Sequence, residues 1–380
     1  MDKKAHPLIY GNPPMVPKAT QALGAIIIVE KLGEGSCVFT YGKEAVNGGP
    51  LDGKKAFELA SITKTFTAAI LGLRVVEGEL NLNETVEGRL PSKFQLSEGE
   101  KELTFQQLAT FTAGFNSDNP PGDINGKPFS FQRFVNYVNS LTPTRPIQGE
   151  KYLPTYNLYS NSSFALLGVA LMYVDDKEQK DPFVYDEPAF SAWIAKNLTG
   201  PGLLDMPNTT VWPSTELMLG HIYNKRTNTY HPASKFPWTF KGPAGALRST
   251  AKDMGAYMKA QVCAYALENE NCRAYPSQLL EALKLTTTVQ DFEPSGALSD
   301  PAIKVTIPDG KGDEYVQALA WIKRAKGESE IMMKVGGHPG FHEWIGFGVQ
   351  KNIGVMVLTN TGNTTGIESV GVDIINHLHD

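Results

Sequence analysis

The 380-residue sequence lacks a basic excess: 35 Lys and Arg stand against 40 Asp and Glu, a formal net charge of −5. It therefore carries no electrostatic footprint for nucleic acid or an acidic membrane surface, and no nucleic-acid partner is expected. Long apolar runs are missing too. GAIIIVE, from Gly24, falls far short of the roughly 18 residues that span a bilayer, so no membrane span is expected. There is no HExxH and no His/Cys/carboxylate set at metal-ligand spacing, so neither metal nor cofactor is expected. His338 and His342, around Pro339-Gly340-Phe341, are accordingly read as structural or substrate-contacting residues. No G-x-S-x-G elbow and no glycine-rich phosphate loop occurs, which removes the α/β-hydrolase nucleophile and a nucleotide cradle.

Cysteine is scarce, at three residues. Cys37, in a strand-like run, is expected as a buried thiol. Cys263 and Cys272, in CAYALENENC, are near enough for a local disulfide loop, with two unpaired thiols as the alternative. The opening MDKKAHPLIYGNPP has two lysines but no apolar signal-peptide core. The expected compartment is cytoplasmic if Met1 is the native start, and periplasmic or secreted if the chain is a mature form.

What is present is ordinary globular material: 41% hydrophobic residues, 36 glycines and 25 prolines, ample for one large or two intimate domains. Residues 24–32 and 37–45 read as a β-hairpin, and 342–350 with 353–360 as a second, joined at Lys351-Asn352. The last stretch, with Ile367, Val370, Val372, Ile374, Ile375 and Leu378, reads as a packed terminal helix. Between these ends, 61–77, 103–112, 130–141, 161–174 and 188–198 look helical, as does 245–290. Ile62, Phe66, Ile70, Leu73 and Val76 stripe the first helix, which stops at Glu77-Gly78. Proline-rich loops at 119, 142 and 236 separate the rest. The expected fold is α+β, an antiparallel sheet built from both chain ends and flanked by helices. Residues 1–78 and 245–380 would form the sheet domain, and 79–244 a mostly helical insertion, with the active site in the cleft between them.

The stretch FELASITKTFTAAILG sets Ser61 and Lys64 at i and i+3, on one face of a helix. A serine hydroxyl is a weak nucleophile that needs a neighbouring base, and a lysine of lowered pKa can be that base. The competing reading makes Ser61 a helix cap and Lys64 a solvated bystander. A second copy, Ser249-Thr250-Ala251-Lys252, reads as a helix start and shows how cheap the tetrapeptide is. LYSNSSFALLG places Tyr159 and Asn161 at another helix entry. A phenol of pKa lowered by nearby ammonium groups can shuttle protons there, and an amide can hold Lys64. Against this stand Ser160 or Asn161 as a cap, Tyr159 as packing, and further Tyr-x-Asn copies at Tyr10 and Tyr137. KVGGHPGFHEWIGF, from Lys334, lies on the approach to a strand and offers a cation and glycines that admit a close backbone N–H. Its bland reading is a glycine-rich connection.

Taken together and in this order, SITK, YSN and KVG with their flanks resemble the class C β-lactamase and penicillin-binding-protein superfamily of active-site serine enzymes. LTFQQLATFTAGF and GPAGALRSTAKDM add to the likeness, which runs from about residue 24 to the terminal helix. Before it, the chain is shorter than the family's usual opening helix. The resemblance implies Ser61 as the acylated nucleophile, Lys64 as its base and Tyr159 as the proton relay to the leaving group. It implies Asn161 on Lys64 and the substrate, and Lys334 on a substrate carboxylate or tuning Tyr159. Val335, Gly336, Gly337 and His338 would complete the substrate side, and the Ser61 and Gly337 backbone N–H groups the oxyanion hole. The implied partner is a small acyl donor: a β-lactam, an ester or a peptide-like amide. Val335 stands where the family has a threonine whose hydroxyl helps recognise a carboxylate. That raises the share of carboxylesterase, D-amino-acid peptidase or acyltransferase chemistry with little β-lactamase activity. A non-catalytic ligand-binding relative is the remaining alternative.

Overall fold

The computed structural model describes residues 21–98, 101–115, 130–141, 147–148, 151–152, 159–176, 185–234, 242–288, 314–326 and 329–378. The proline-rich loops at 119 and 142, the first residues of that at 236 and the segment before residue 21 lie outside them.

Strand β1 (Gly24–Lys31) is buried on both faces, as its unbroken run of Ile and Val requires of a central strand. On one side it pairs antiparallel with β2 (Gly35–Gly42), Ala25 opposite Tyr41. Its other neighbour is β13 (Ile353–Thr359), Ala25 opposite Thr359, so the two ends of the chain meet in mid-sheet. The sheet continues through β12 (Phe341–Gly348), β11 (Ser329–His338), β10 (Ile322–Lys326) and β9 (Glu314–Gln317). Every pairing is antiparallel. The last two strands escape sequence reading, because EYVQ and IKRAK are short and charged. KVGGH, expected on the approach to a strand, lies inside β11 instead.

Alternation along the strands divides the apolar residues between two layers. Ile26, Ile28, Met332, Phe347, Met356 and Leu358 join a core shared with most of the helices. Ala25, Ile27, Val29, Trp344, Val355 and Val357 face the terminal helix (Ile367–His377), which packs Val370, Ile374 and Ile375 against them.

Nine α-helices occur among the described residues: α1 (Thr63–Val76), α2 (Phe105–Ala109), α3 (Phe131–Asn139), α4 (Asn161–Asp175), α5 (Glu187–Ile194), α6 (Gly242–Gly245), α7 (Ala251–Cys263), α8 (Ser277–Thr287) and α9, the terminal helix. Helix α1 is buried all round from Thr63 to Arg74, beyond the single stripe its sequence shows. At Gly72 a Cβ would stand 2.7 Å from the Ala282 carbonyl of α8, so that crossing needs glycine. The helix stops at Glu77, and Gly78 turns left-handed at φ +75°, as the sequence suggests. The helix expected over 103–112 shrinks to five residues. Thr104 caps its start in a capping box, and Phe111 turns left-handed at φ +59°.

Short pairs fill the connections: β3 (Phe57–Glu58) with β8 (Arg248–Ser249), β4 (Ile147–Gln148) with β5 (Lys151–Tyr152), and β6 (His221–Asn224) with β7 (Thr229–Pro232). Cys263 and Cys272 are joined as a disulfide, Cα atoms 5.3 Å apart. Cys37 is only half-buried, because β2 is the outer strand of the sheet.

Candidate active site

Strand β3 ends at Glu58, and after Leu59 the chain breaks sharply. Ala60 is fully buried in the left-handed region at φ +43°, where an alanine is strained. This residue opens a 3-10 turn, Ala60–Ile62, that presents Ser61 before α1 begins at Thr63. Ser61 does not cap that helix: Ile62 holds the cap position and no side chain satisfies it. The Ser61 hydroxyl instead pairs closely with the Tyr159 hydroxyl, and Lys64 Nζ donates to Ser61 Oγ at 3.0 Å.

Lys64 is fully buried, not a solvated bystander. Its ammonium also donates to Asn161 Oδ1 and to the Ala244 carbonyl, each at 2.7 Å. An ammonium has three protons, and here each meets an acceptor. Asn161 is available for this because Ser160 takes the capping work of α4, accepting the Ser163 N–H at 3.2 Å. Ala244 comes from α6, inside the GPAG turn.

On β11, Lys334, Gly336 and His338 alternate onto one face. Lys334 is buried and its Nζ lies 5.0 Å from the Tyr159 ring centroid and 5.3 Å from that of Phe111. Gly336 presses on the turn that carries Ser61, where a Cβ would stand 2.6 Å from the Leu59 carbonyl and 2.7 Å from Glu343 Oε2. Val335 and Gly337 fall on the other, open face, Val335 being 37% exposed. Pairing with β10 ends at Met333, whereas pairing with β12 runs on to His338. Within the sheet, Lys334–His338 are thus bonded on one side only, and they pass the Ser61 turn with the other edge unpaired.

Burial without a counter-charge lowers Lys334 to about 7. Burial also pushes the Tyr159 phenol up to about 12, the Ser61 hydrogen bond offsetting part of the rise. The residue nonetheless keeps 38% of its surface open. Burial thus works against the lowered phenol pKa that the sequence suggests. The ammonium meant to stabilise a phenolate is itself driven toward neutrality by burial.

His338 turns away from Ser61. Its Nε2 pairs closely with Glu58, and its Nδ1 accepts the Gly340 N–H at 3.3 Å. Glu58 also holds Arg248 at 3.1 Å. Burial acts to raise the Glu58 carboxyl, but His338 and Arg248 outweigh it and leave the group below its ordinary range. Glu343, buried behind Gly336, is raised well above that range by burial and by Glu58. No cluster of three or more potential metal ligands occurs among the described residues.

Ser61, Lys64, Tyr159 and Asn161 thus form one hydrogen-bonded group, with Lys334 against its tyrosine ring. Gly336 flanks the group, and His338 belongs to a separate ion-paired cluster. Sequence reasoning missed Ala244, which acts through a backbone carbonyl and leaves no side-chain signal. Phe111, Glu58, Arg248 and Glu343 were missed too. Their clue, charge or aromaticity inside apolar runs, names no partner.

The chain can now be set beside known proteins. The family profile described as Beta-lactamase matches residues 21–375. The crystal structure of a class C beta-lactamase from Rhodobacter sphaeroides covers 100% of both chains at 19% identity, with a TM-score of 0.71. That of a beta-lactamase/D-alanine carboxypeptidase from Pseudomonas syringae covers 98% of this chain and 99% of its own, at 20% identity and a TM-score of 0.72. These two share its fold. Beta-lactamase-like protein 4 of Dictyostelium discoideum is 25% identical over 266 residues, 66% of this chain; the chain spans 42% of that protein's length. With its profile matched from the first strand to the terminal helix, the chain belongs to the beta-lactamase family.

Proposed function

We propose that the protein is a serine hydrolase that forms an acyl-enzyme on Ser61. The observation that carries this is the convergence of Lys64, Tyr159 and Asn161 on one serine hydroxyl. When Lys64 is neutral it keeps two N–H bonds, and Asn161 Oδ1 and the Ala244 carbonyl hold both. Its lone pair then points along the third direction, at Ser61 Oγ. The Ser61 proton passes to Lys64 as Oγ bonds to the acyl carbon. The Ser61 and Gly337 N–H groups face the carbonyl oxygen as it gains charge. Tyr159, a neutral phenol, gives its proton to the leaving group as that bond breaks and recovers one from the Lys64 ammonium. Attack by water or another acceptor on the ester reverses these transfers and frees Ser61.

A fluorophosphonate tests the assignment. One adduct mapping to Ser61 is expected by mass spectrometry, and none in Ser61→Ala. An unlabelled wild type would leave a ligand-binding relative.

Val335 favours esters or amides over β-lactams as donors, because the position after Lys334 carries no hydroxyl to receive a carboxylate. Val335→Thr should raise cephalosporin turnover relative to p-nitrophenyl butyrate by about tenfold. A ratio that does not move removes Val335 as the selectivity determinant.

A further inference from the structure

The two N–H groups assigned to the acyl oxygen belong to different elements. Ser61 follows β3 on the turn opened by Ala60, and Gly337 lies on β11. Neither strand alone fixes the distance between them. The outer neighbour of β11 does not hold it there either, since pairing with β10 ends at Met333.

Two contacts do fix it. Gly336 approaches the Leu59 carbonyl so closely that a Cβ would stand 2.6 Å away, which sets how near the elements can come. One residue past Gly337, His338 pairs with Glu58, three residues before Ser61, which sets how far apart they can drift. Both side chains are only 4% exposed, so neither water nor salt weakens the pair much. His338 Nδ1 accepts the Gly340 N–H at 3.3 Å, leaving the ring proton on Nε2, toward the carboxylate. Glu58 is anchored in turn. It faces Arg248 across the β3–β8 pair and takes that guanidinium at 3.1 Å. Arg248 donates to the Val211 carbonyl and lies 4.7 Å from the Trp212 ring centroid. A carboxylate held at both oxygens by fixed donors cannot swing.

We propose that Glu58 and His338 are positioning residues for acylation, a clamp that keeps the Ser61 and Gly337 N–H groups at the spacing a developing oxyanion needs. Both act through the backbone, since His338 turns away from Ser61 and Glu58 is occupied by His338 and Arg248. The proposal rests on the acyl-enzyme reading above and adds what holds its oxyanion site together.

The test compares kcat/KM for p-nitrophenyl butyrate and O-(p-nitrophenyl) thionobutyrate in the wild type, His338→Leu and His338→Gln. The two esters share acyl and leaving groups and differ in the atom that gains charge, sulfur being the weaker hydrogen-bond acceptor. A change in folded fraction or in acyl-group binding moves both rates alike and cancels in their ratio, whereas displaced oxyanion donors move the ratio. The wild type should favour the oxo ester by about 10²-fold. His338→Leu cannot donate to Glu58 and should cut that preference about tenfold, a smaller loss than the roughly 10²–10³-fold of removing a donor outright. His338→Gln, whose amide N–H can reach the same carboxylate, should restore it to within about threefold of the wild type. Should His338→Leu not fold, Glu58→Gln breaks the pair from the other side, because one amide oxygen cannot serve His338 and Arg248 together. The preference should fall about threefold or more there. A preference that the folded variant leaves unchanged, one that His338→Gln does not restore, or a wild type without it overturns the clamp. Ser61 labelling would then persist, so the acyl-enzyme reading would survive. Failure of both esters together with no fluorophosphonate adduct on Ser61 overturns both.

Discussion

The chain holds two Ser-x-x-Lys sequences, and they lie almost side by side. Strand β3, which leads into Ser61, pairs with β8, which contains Ser249, so that Phe57 faces Ser249 and Glu58 faces Arg248. One copy nonetheless becomes a hydrogen-bonded serine and lysine, while the other does not. In the first, the left-handed Ala60 ends the strand early, and Ser61 and Lys64 sit one helical turn apart. In the second, Ser249 stays in the strand and Thr250 takes the cap, its side chain accepting the Asp253 N–H. Ser249 is buried against Thr209 at 2.7 Å, and Lys252 points into solvent on the first turn of α7. The spacing is shared, but the residue at which strand becomes helix differs. That single position decides whether the two side chains can meet.

The largest contrast to break is between the serines. Ser61→Ala should lower ester turnover about 10⁴-fold or more and abolish the adduct. Ser249→Ala should keep the adduct and cost about 1 kcal/mol of stability through its lost hydrogen bond, read from urea unfolding. Equal labelling of both variants would place the nucleophile elsewhere.

Next come the lysines. Lys64→Ala should slow acylation about 10³-fold, measured as the rate of adduct formation, because the serine loses its base. Lys252→Ala should leave that rate alone and change stability by no more than about 0.5 kcal/mol, as surface substitutions do. A small effect at Lys64 would return it to a packing role.

A third lysine sharpens the comparison through pH. Lys334 has no acceptor set like that of Lys64, and burial holds it near 7. Burial disfavours the charged form, so the ammonium is populated below about pH 7 and lost above it. If that charge receives a substrate carboxylate, kcat/KM for a cephalosporin relative to a neutral ester falls as pH rises through 7. The decline approaches about tenfold per unit, and Lys334→Met flattens it. A ratio independent of pH in the wild type would confine Lys334 to packing beside Tyr159.

These contrasts mark where the sequence was readable. The central strands β1, β12 and β13 and the helices α1 and α4 announce themselves through β-branched runs and apolar spacing, because burial selects such residues directly. Strands β9 and β10 do not, since short charged segments at a sheet's far end are held by pairing more than by composition. At the site, the order of SITK, YSN and KVG gave the residues that converge. The charge states were hidden. A lowered Tyr159 was expected from its ammonium neighbours, and burial, which no local sequence reports, reversed the direction. His338 was hidden likewise, since its partner Glu58 lies 280 positions earlier in the chain.

The smallest effect concerns caps, and it separates what a serine and a threonine do at two helix starts. Thr250 satisfies an N–H that α7 would otherwise leave open, so Thr250→Ala should cost about 1 kcal/mol. Ser61 satisfies none in α1, because the turn before that helix points its hydroxyl at Lys64 and Tyr159. Ser61→Ala therefore costs no cap bond; it removes the partner of Lys64 and Tyr159, a loss of about 1 kcal/mol in urea unfolding, and less than half of that should remain when the same change is made in Lys64→Met. A Ser61→Ala change that costs as much in Lys64→Met as in the wild type would mean that the hydroxyl also serves the start of α1, and the left-handed Ala60 would no longer explain the difference between the two copies.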